Sequence, residues 1–153
     1  MLYLEDLVVG SVTELGSVIV DREELVAFAD RFDPQLMHTD DAAAAHLPFG
    51  GIIASGWHTS SMWNRLFVDN LIGHVANLGG VGIDELRFHA PVRPVDILTG
   101  AAEVLEARPS LRKPDRGTMV VLGTLHNQSG ELVMSLRGIT RIARRPTSLP
   151  AVD

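Results

Sequence analysis

The stretch from Ser55 to Gly73, SGWHTSSMWNRLFVDNLIG, decides how the rest of the chain is read. Trp57, Met62, Trp63, Leu66, Phe67, Leu71 and Ile72 recur at helical spacing and make a broad apolar face. A helix from Ser55 to Ile72 spans about 27 Å at ~1.5 Å per residue. Gly73 is expected to end it. A helix this apolar belongs inside the molecule, so the remaining elements must cover it.

The chain after this helix reads as strand. Val81 to His89, Asp96 to Ala107, Gly117 to Asn127 and Glu131 to Ala143 are predicted strands. Side chains from Ile97 to Glu106 alternate between two faces with period two. HNQSGE, residues 126–131, is predicted to be a hairpin turn with Gly130 at positive φ. SLRKPDRG, residues 110–117, is a longer polar connection with Pro114 and Gly117 as turn residues.

The chain before the helix is mixed. Val12 to Val20 suits a strand. Asp21 is a good N-cap for REELVAFADRF, and Glu24 stands three residues later as in a capping box. Leu25, Phe28, Ala29 and Phe32 share one helix face. Pro34 stops this helix, because the residue before a proline avoids the α region. DDAAAAH, residues 40–46, reads as a second short helix capped by Thr39 or Asp40. LPFGGIIASG, residues 47–56, reads as a loop. Strands grouped after helices argue for an α+β fold with an antiparallel sheet of about five strands around the long helix. Such a sheet leaves one face and two edges to cover, and pairing with a second copy is one way to do so. Residues 1–145 are expected to form a single domain and residues 146–153 a flexible tail.

Composition narrows the function. A chain of 153 residues suits one domain with a real core. The net charge of −6 disfavours a general nucleic-acid binder. Cysteine is absent, which excludes disulfides, thiolate metal sites and cysteine nucleophiles. MLYLEDLVVG at the N-terminus carries acidic residues and no basic run, so it does not read as a signal peptide. No apolar run approaches the ~20 residues of a membrane span. A soluble cytoplasmic protein, without membrane or nucleic-acid partners, is the expectation.

The chemistry points to FDPQLMHTD, Phe32 to Asp40. It reads as an irregular loop between two helices, and it holds Asp33 and His38. A loop can turn both side chains toward one pocket, whereas i,i+5 on a helix would part them. Asp33 alone is more often a turn residue before proline. The other histidines, His46, His58, His74, His89 and His126, show no metal-ligand spacing, and no metal site is expected. Asp40 and Asp41 read as helix-start charges. GGVG from Gly79 lacks the strand–turn–helix setting of a dinucleotide loop.

EELVAFADRF, DPQLMHTD, FGGIIASGW and LRFHAPVRPVDIL together resemble the MaoC-like dehydratases, over roughly residues 5 to 143. The resemblance implies the hotdog fold, an antiparallel sheet wrapped around a long central helix. It implies hydration of a trans-2-enoyl thioester to the (R)-3-hydroxyacyl thioester, or the reverse dehydration. It also implies a coenzyme A or acyl-carrier-protein thioester as substrate, no further cofactor, and a homodimer or larger homo-oligomer. The family motif sets Asp and His with four residues between, as Asp33 and His38 are here, and a glycine opens the central helix, as Gly56 does. In that reading Asp33 is the base, and His38 positions the water and delivers the proton. The Gly56 N–H, at a helix N-terminus, is an oxyanion donor. Ser55, Trp57 and Asn64 are candidate substrate-binding residues. Three departures stand out: Ser55-Gly56-Trp57 where the family often has HGM, Asn64 where many members carry serine, and Val95 where glycine is common.

Two other readings remain open. A thioesterase would turn the same acid and water on the thioester carbon. A non-catalytic acyl-thioester-binding subunit would bind without turnover. Arg108, Arg112, Lys113 and Arg116 read as a solvated basic loop or as a hold for coenzyme A phosphates.

Overall fold

The computed structural model describes residues 1–146. Five strands form one antiparallel sheet: β1 (Val12–Ile19), β2 (Asn77–Phe88), β3 (Ile97–Pro109), β4 (Arg116–His126) and β5 (Leu132–Ala143). Their order across the sheet is β1-β3-β4-β5-β2. Four helices precede β2: α1 (Arg22–Phe32), α2 (Leu36–Thr39), α3 (Asp41–Ala45) and α4 (Gly56–Asn70). The sheet curls around α4, which lies against β1, β3 and β4. This is the hotdog arrangement that the resemblance implies.

The sheet makes room for the helix with small residues. Gly123 on β4 sits under the indole of Trp63, where any Cβ would overlap the ring. The indole N–H donates to the Ala101 carbonyl at 3.2 Å. On β3, Leu98, Gly100, Ala102 and Val104 alternate inward. Leu15, Leu98, Leu125, Met119, Met134 and Ile142 are fully buried around the helix. Each such side chain contributes about 1.5–3 kcal/mol through removal from water.

Asp21 caps α1 as expected, its carboxylate accepting from the Glu24 N–H at 2.8 Å. The reciprocal half of the capping box is replaced by another contact. The Glu24 carboxylate faces His58 Nε2 at 3.3 Å. Asp40, rather than Thr39, caps α3. The hairpin turn holds Gly130 at φ +76°. Within β1, Gly16, at φ +81°, marks a register shift against β3 that resets which face each residue shows.

Three expectations need correction. The long helix stops at Asn70, because Leu71 leaves helical dihedrals (φ −139°, ψ −68°) and Ile72–His74 form a tight 3-10 turn. The segment read as an irregular loop contains the single turn α2, which carries His38. β2 begins at Asn77, four residues before the predicted start at Val81. Its glycines hid it: Gly79, Gly80 and Gly82 give no alternation to read. Apart from Pro146, the expected flexible tail lies outside the described residues.

Candidate active site

Asp33 and His38 reach one place from two elements. Asp33 is the C-cap of α1, with φ −152° and ψ 66°. The chain then turns through Pro34, and α2 brings His38 back beside it. The His38 Nδ1 lies 2.8 Å from the Ile53 carbonyl. A carbonyl only accepts, so Nδ1 carries the proton and Nε2 is left facing the site. Nε2 lies 3.5 Å from Asp33 Oδ2. That gap is wide for a direct hydrogen bond and suits a pair sharing one bound group. His38 is buried, whereas the Asp33 side chain retains 18% exposure. Asp33 therefore meets both protein and solvent.

Two neutral donors hold the carboxylate. The Ser55 hydroxyl donates to Oδ2 at 2.7 Å. The Gln35 amide donates to Oδ1 at 2.6 Å. The Ser55 bond, then the Gln35 bond, lower the pKa of Asp33, burial opposes them, and the charge of His38 adds to the lowering. The group is thus held as a carboxylate.

A cavity of about 260 Å³ opens on His38, whose Nε2 faces Asp33. His38, Gly56 and Thr59 line it from the helical side, and Phe88, His89 and Val133 from the sheet. Gly56 begins α4, and its N–H has no partner among the described residues. A Cβ at Gly56 would come within 2.5 Å of the Phe88 ring. Glycine therefore does two things here: it exposes a helix-start N–H and leaves room for the cavity wall.

The candidate residues separate into groups. Asp33, His38 and Gly56 come together. Ser55 comes with them: it is fully buried, with its hydroxyl donating to Asp33 and accepting from the Trp57 N–H. Trp57 and Asn64 do not join the cavity. They line a second groove on α4 with Phe28, Phe32, Ile83 and Leu86. The helical repeat explains this, since Trp57 and Asn64 leave α4 on another side from Gly56 and Thr59. The basic loop is also remote. Register runs from Thr99↔His126, near the cavity, to Pro109↔Gly117, beside the loop. That is about 33 Å of strand at ~3.3 Å per residue. Sequence reading missed Gln35, the Ile53 carbonyl, and the cavity-wall residues Phe88 and His89, the latter 2.8 Å from the Ser135 hydroxyl. The sheet brings Phe88 and His89 to the wall, whereas Gln35 follows Asp33 by two residues and the Ile53 carbonyl meets His38 across 15.

A five-stranded antiparallel sheet around one helix, with an Asp–His pair at the helix start, defines the class of hotdog-fold dehydratases and hydratases. The comparisons with known proteins agree. The MaoC like domain family matches residues 9–123, and the chain belongs to that family. The chain is 32% identical to the uncharacterized protein YdeM of Bacillus subtilis, over 82% of this chain and 87% of that one. It is 36% identical to the 3-hydroxybutyryl-CoA dehydratase of Methylorubrum extorquens, over 74% of this chain and 70% of the other. Among solved structures, a MaoC-like dehydratase from Rhodospirillum rubrum superposes with a TM-score of 0.85 at 37% identity, covering 96% of this chain and 100% of that one. An (R)-hydratase from A. caviae involved in PHA biosynthesis superposes at 0.70 with 26% identity, covering 93% and 99%.

Proposed function

We propose that this protein is an (R)-specific hydratase/dehydratase that interconverts trans-2-enoyl-CoA and 3-hydroxyacyl-CoA thioesters. The observation that carries the proposal is the Asp33–His38 pair, 3.5 Å apart, with His38 and Gly56 lining one cavity and the Gly56 N–H unpartnered among the described residues. The relatives named as dehydratase and hydratase support the same chemistry.

The steps balance with these groups alone. Water held between Asp33 and His38 adds its oxygen to Cβ, and Asp33 takes the released proton. His38 enters the hydration step with both ring nitrogens protonated, and its Nε2 proton passes to Cα, leaving the neutral Nδ1–H ring. Charge that builds on the thioester oxygen falls on the Gly56 N–H and the positive end of α4. The pair resets when the proton crosses from Asp33 Oδ2 to His38 Nε2. Dehydration runs the same path backwards. No cofactor enters beyond the thioester itself.

We also propose that the working form is a homodimer joined along β2. This edge strand exposes Leu78, Val81, Ile83 and Phe88, a combination that invites pairing with another strand. Sedimentation at equilibrium should give twice the mass of the chain.

The decisive assay tracks the absorbance of the conjugated enoyl thioester together with free thiol, using crotonyl-CoA and longer or branched analogues. Loss of the conjugated band without thiol supports the hydratase. Release of thiol would make the protein a thioesterase. Tight binding with no turnover across the series would make it a binding subunit.

A further inference from the structure

One buried titratable side chain has no part in the proposed chemistry. His58, on α4, is 2% exposed. Its Nε2 faces Glu24 Oε1 at 3.3 Å, while its Nδ1 is buried without a hydrogen-bond partner among the described residues. A polar atom left in that state costs stability. An apolar ring of the same size would avoid the cost, so the histidine must provide something a phenylalanine does not.

Its contacts suggest what that is. The His58 ring stacks on Phe28, with centroids 4.9 Å apart and planes 21° apart. Phe28 packs on Phe32 at 5.1 Å. Asp33 is the next residue, and its carboxylate takes the Ser55 hydroxyl at 2.7 Å. Ser55 stands one helical turn before His58 on the same helix. The contacts therefore close a ring: Asp33, Ser55, His58, Phe28, Phe32 and back to Asp33. Within that ring the stacks are slippery, because aromatic faces slide at little cost. The directional contact between α1 and α4 behind the stack is His58 to Glu24.

We infer that His58, held by Glu24, is a positioning residue that sets the register of α1 against α4 and so aims the Asp33 carboxylate at Ser55 and His38. It lies outside the cavity and touches no reacting atom. The charged groups around it are Glu24 from α1 and Arg65 from α4, while β1 presents only the apolar Val18. The inference rests on reading Asp33 as the base, but its test does not need turnover.

The test is an NMR titration of the Asp33 carboxyl in wild type, His58→Phe, Glu24→Leu and Glu24→Gln, with steady-state kinetics beside it. His58→Phe keeps the stack and loses the directional contact. It should raise the pKa of Asp33, because the Ser55 bond that lowers it goes out of line. The kcat should fall about tenfold with KM little changed, as expected of misplacement at the reacting centre. Melting temperature should hold or rise. Glu24→Leu should reproduce these effects from an exposed position, even if His58→Phe does not fold. Glu24→Gln retains an acceptor for Nε2 and should restore the wild-type titration. Unchanged Asp33 titration in folded His58→Phe or Glu24→Leu would overturn the inference. If the titration moves but no variant, nor the wild type, hydrates an enoyl thioester, the positioning role stands and the proposed reaction falls.

Discussion

Two of the hollows along α4, one at Gly56 and Thr59 and one at Trp57 and Asn64, differ in what lines them. The cavity on the Gly56 and Thr59 side meets His38, which is tied to a backbone carbonyl and faces an acid held by two donors. The groove on the Trp57 and Asn64 side is bordered mainly by Phe28, Phe32, Trp63, Ile83, Leu86 and Leu136. Beyond the indoles, its polar groups belong to Ser60, Ser61 and Asn64, none of which titrates near neutral pH. Polarity alone does not make a reaction site. What separates the hollows is His38, fixed by the Ile53 carbonyl and backed by Asp33, which lines the first and is not among the described residues lining the second.

The substitutions that break this contrast most strongly are in the pair itself. Asp33→Asn keeps the size and removes the base, and kcat should fall by about 10²–10⁴, the usual worth of a positioned proton acceptor. The mutant should fold and bind substrate, which calorimetry with an unreactive thioester would show.

Ser55→Ala tests the support beneath the acid. Losing the strongest cause of the lowered pKa should move the acid limb of the kcat–pH profile to higher pH. Stability should respond with the same sign. A carboxyl whose folded pKa lies below its usual value contributes stability above that usual value, ~3.9 for aspartate, and loses it as pH falls through the lowered one. Ser55→Ala should therefore shrink the drop in melting temperature on acidification toward about pH 3. It should also lower stability at neutral pH by about 1–3 kcal/mol, through a lost bond to a charge and a lost helix cap.

Gly56→Ala acts on the wall. The methyl would press on Phe88, so the ring must move into or out of the cavity. A loss of about tenfold in kcat/KM is expected, with little change in the pH profile. On the groove side, Asn64→Ala should leave kcat on a short enoyl thioester within about twofold, since it loses no group that touches the reacting carbons.

The smallest effect sharpens the account of the departures. Val95, where the family commonly has glycine, sits at φ +65° in the turn after Pro94. A β-branched residue is strained there. Val95→Gly should raise stability by about 1 kcal/mol without touching activity, measured by urea denaturation. This departure is a strained turn outside the cavity.

Legibility in the sequence depends on range. The central helix is legible because its apolar period is local. Most strand boundaries are legible because β3 alternates and Gly130 turns. β2 is half hidden, since its glycines carry no pattern. Asp33, His38 and Gly56 can be found because a motif spaces them. The Ser55 contact to Asp33 spans 22 residues. No local period encodes that distance, so the sequence does not reveal that the Ser55 hydroxyl meets the Asp33 carboxylate. Trp57 is a candidate by adjacency to Gly56 and Asn64 by its place where many family members carry serine, and the helical repeat turns both to another side of α4.

One measurement bears most directly on the Asp33–His38 pair as the seat of reaction: the fall of the conjugated enoyl absorbance, recorded side by side for wild type, Asp33→Asn and Asn64→Ala. The account predicts turnover in wild type and Asn64→Ala, and a loss of about 100-fold or more in Asp33→Asn. Wild-type rates in Asp33→Asn, or a collapse confined to Asn64→Ala, would move the chemistry to the other hollow and contradict it.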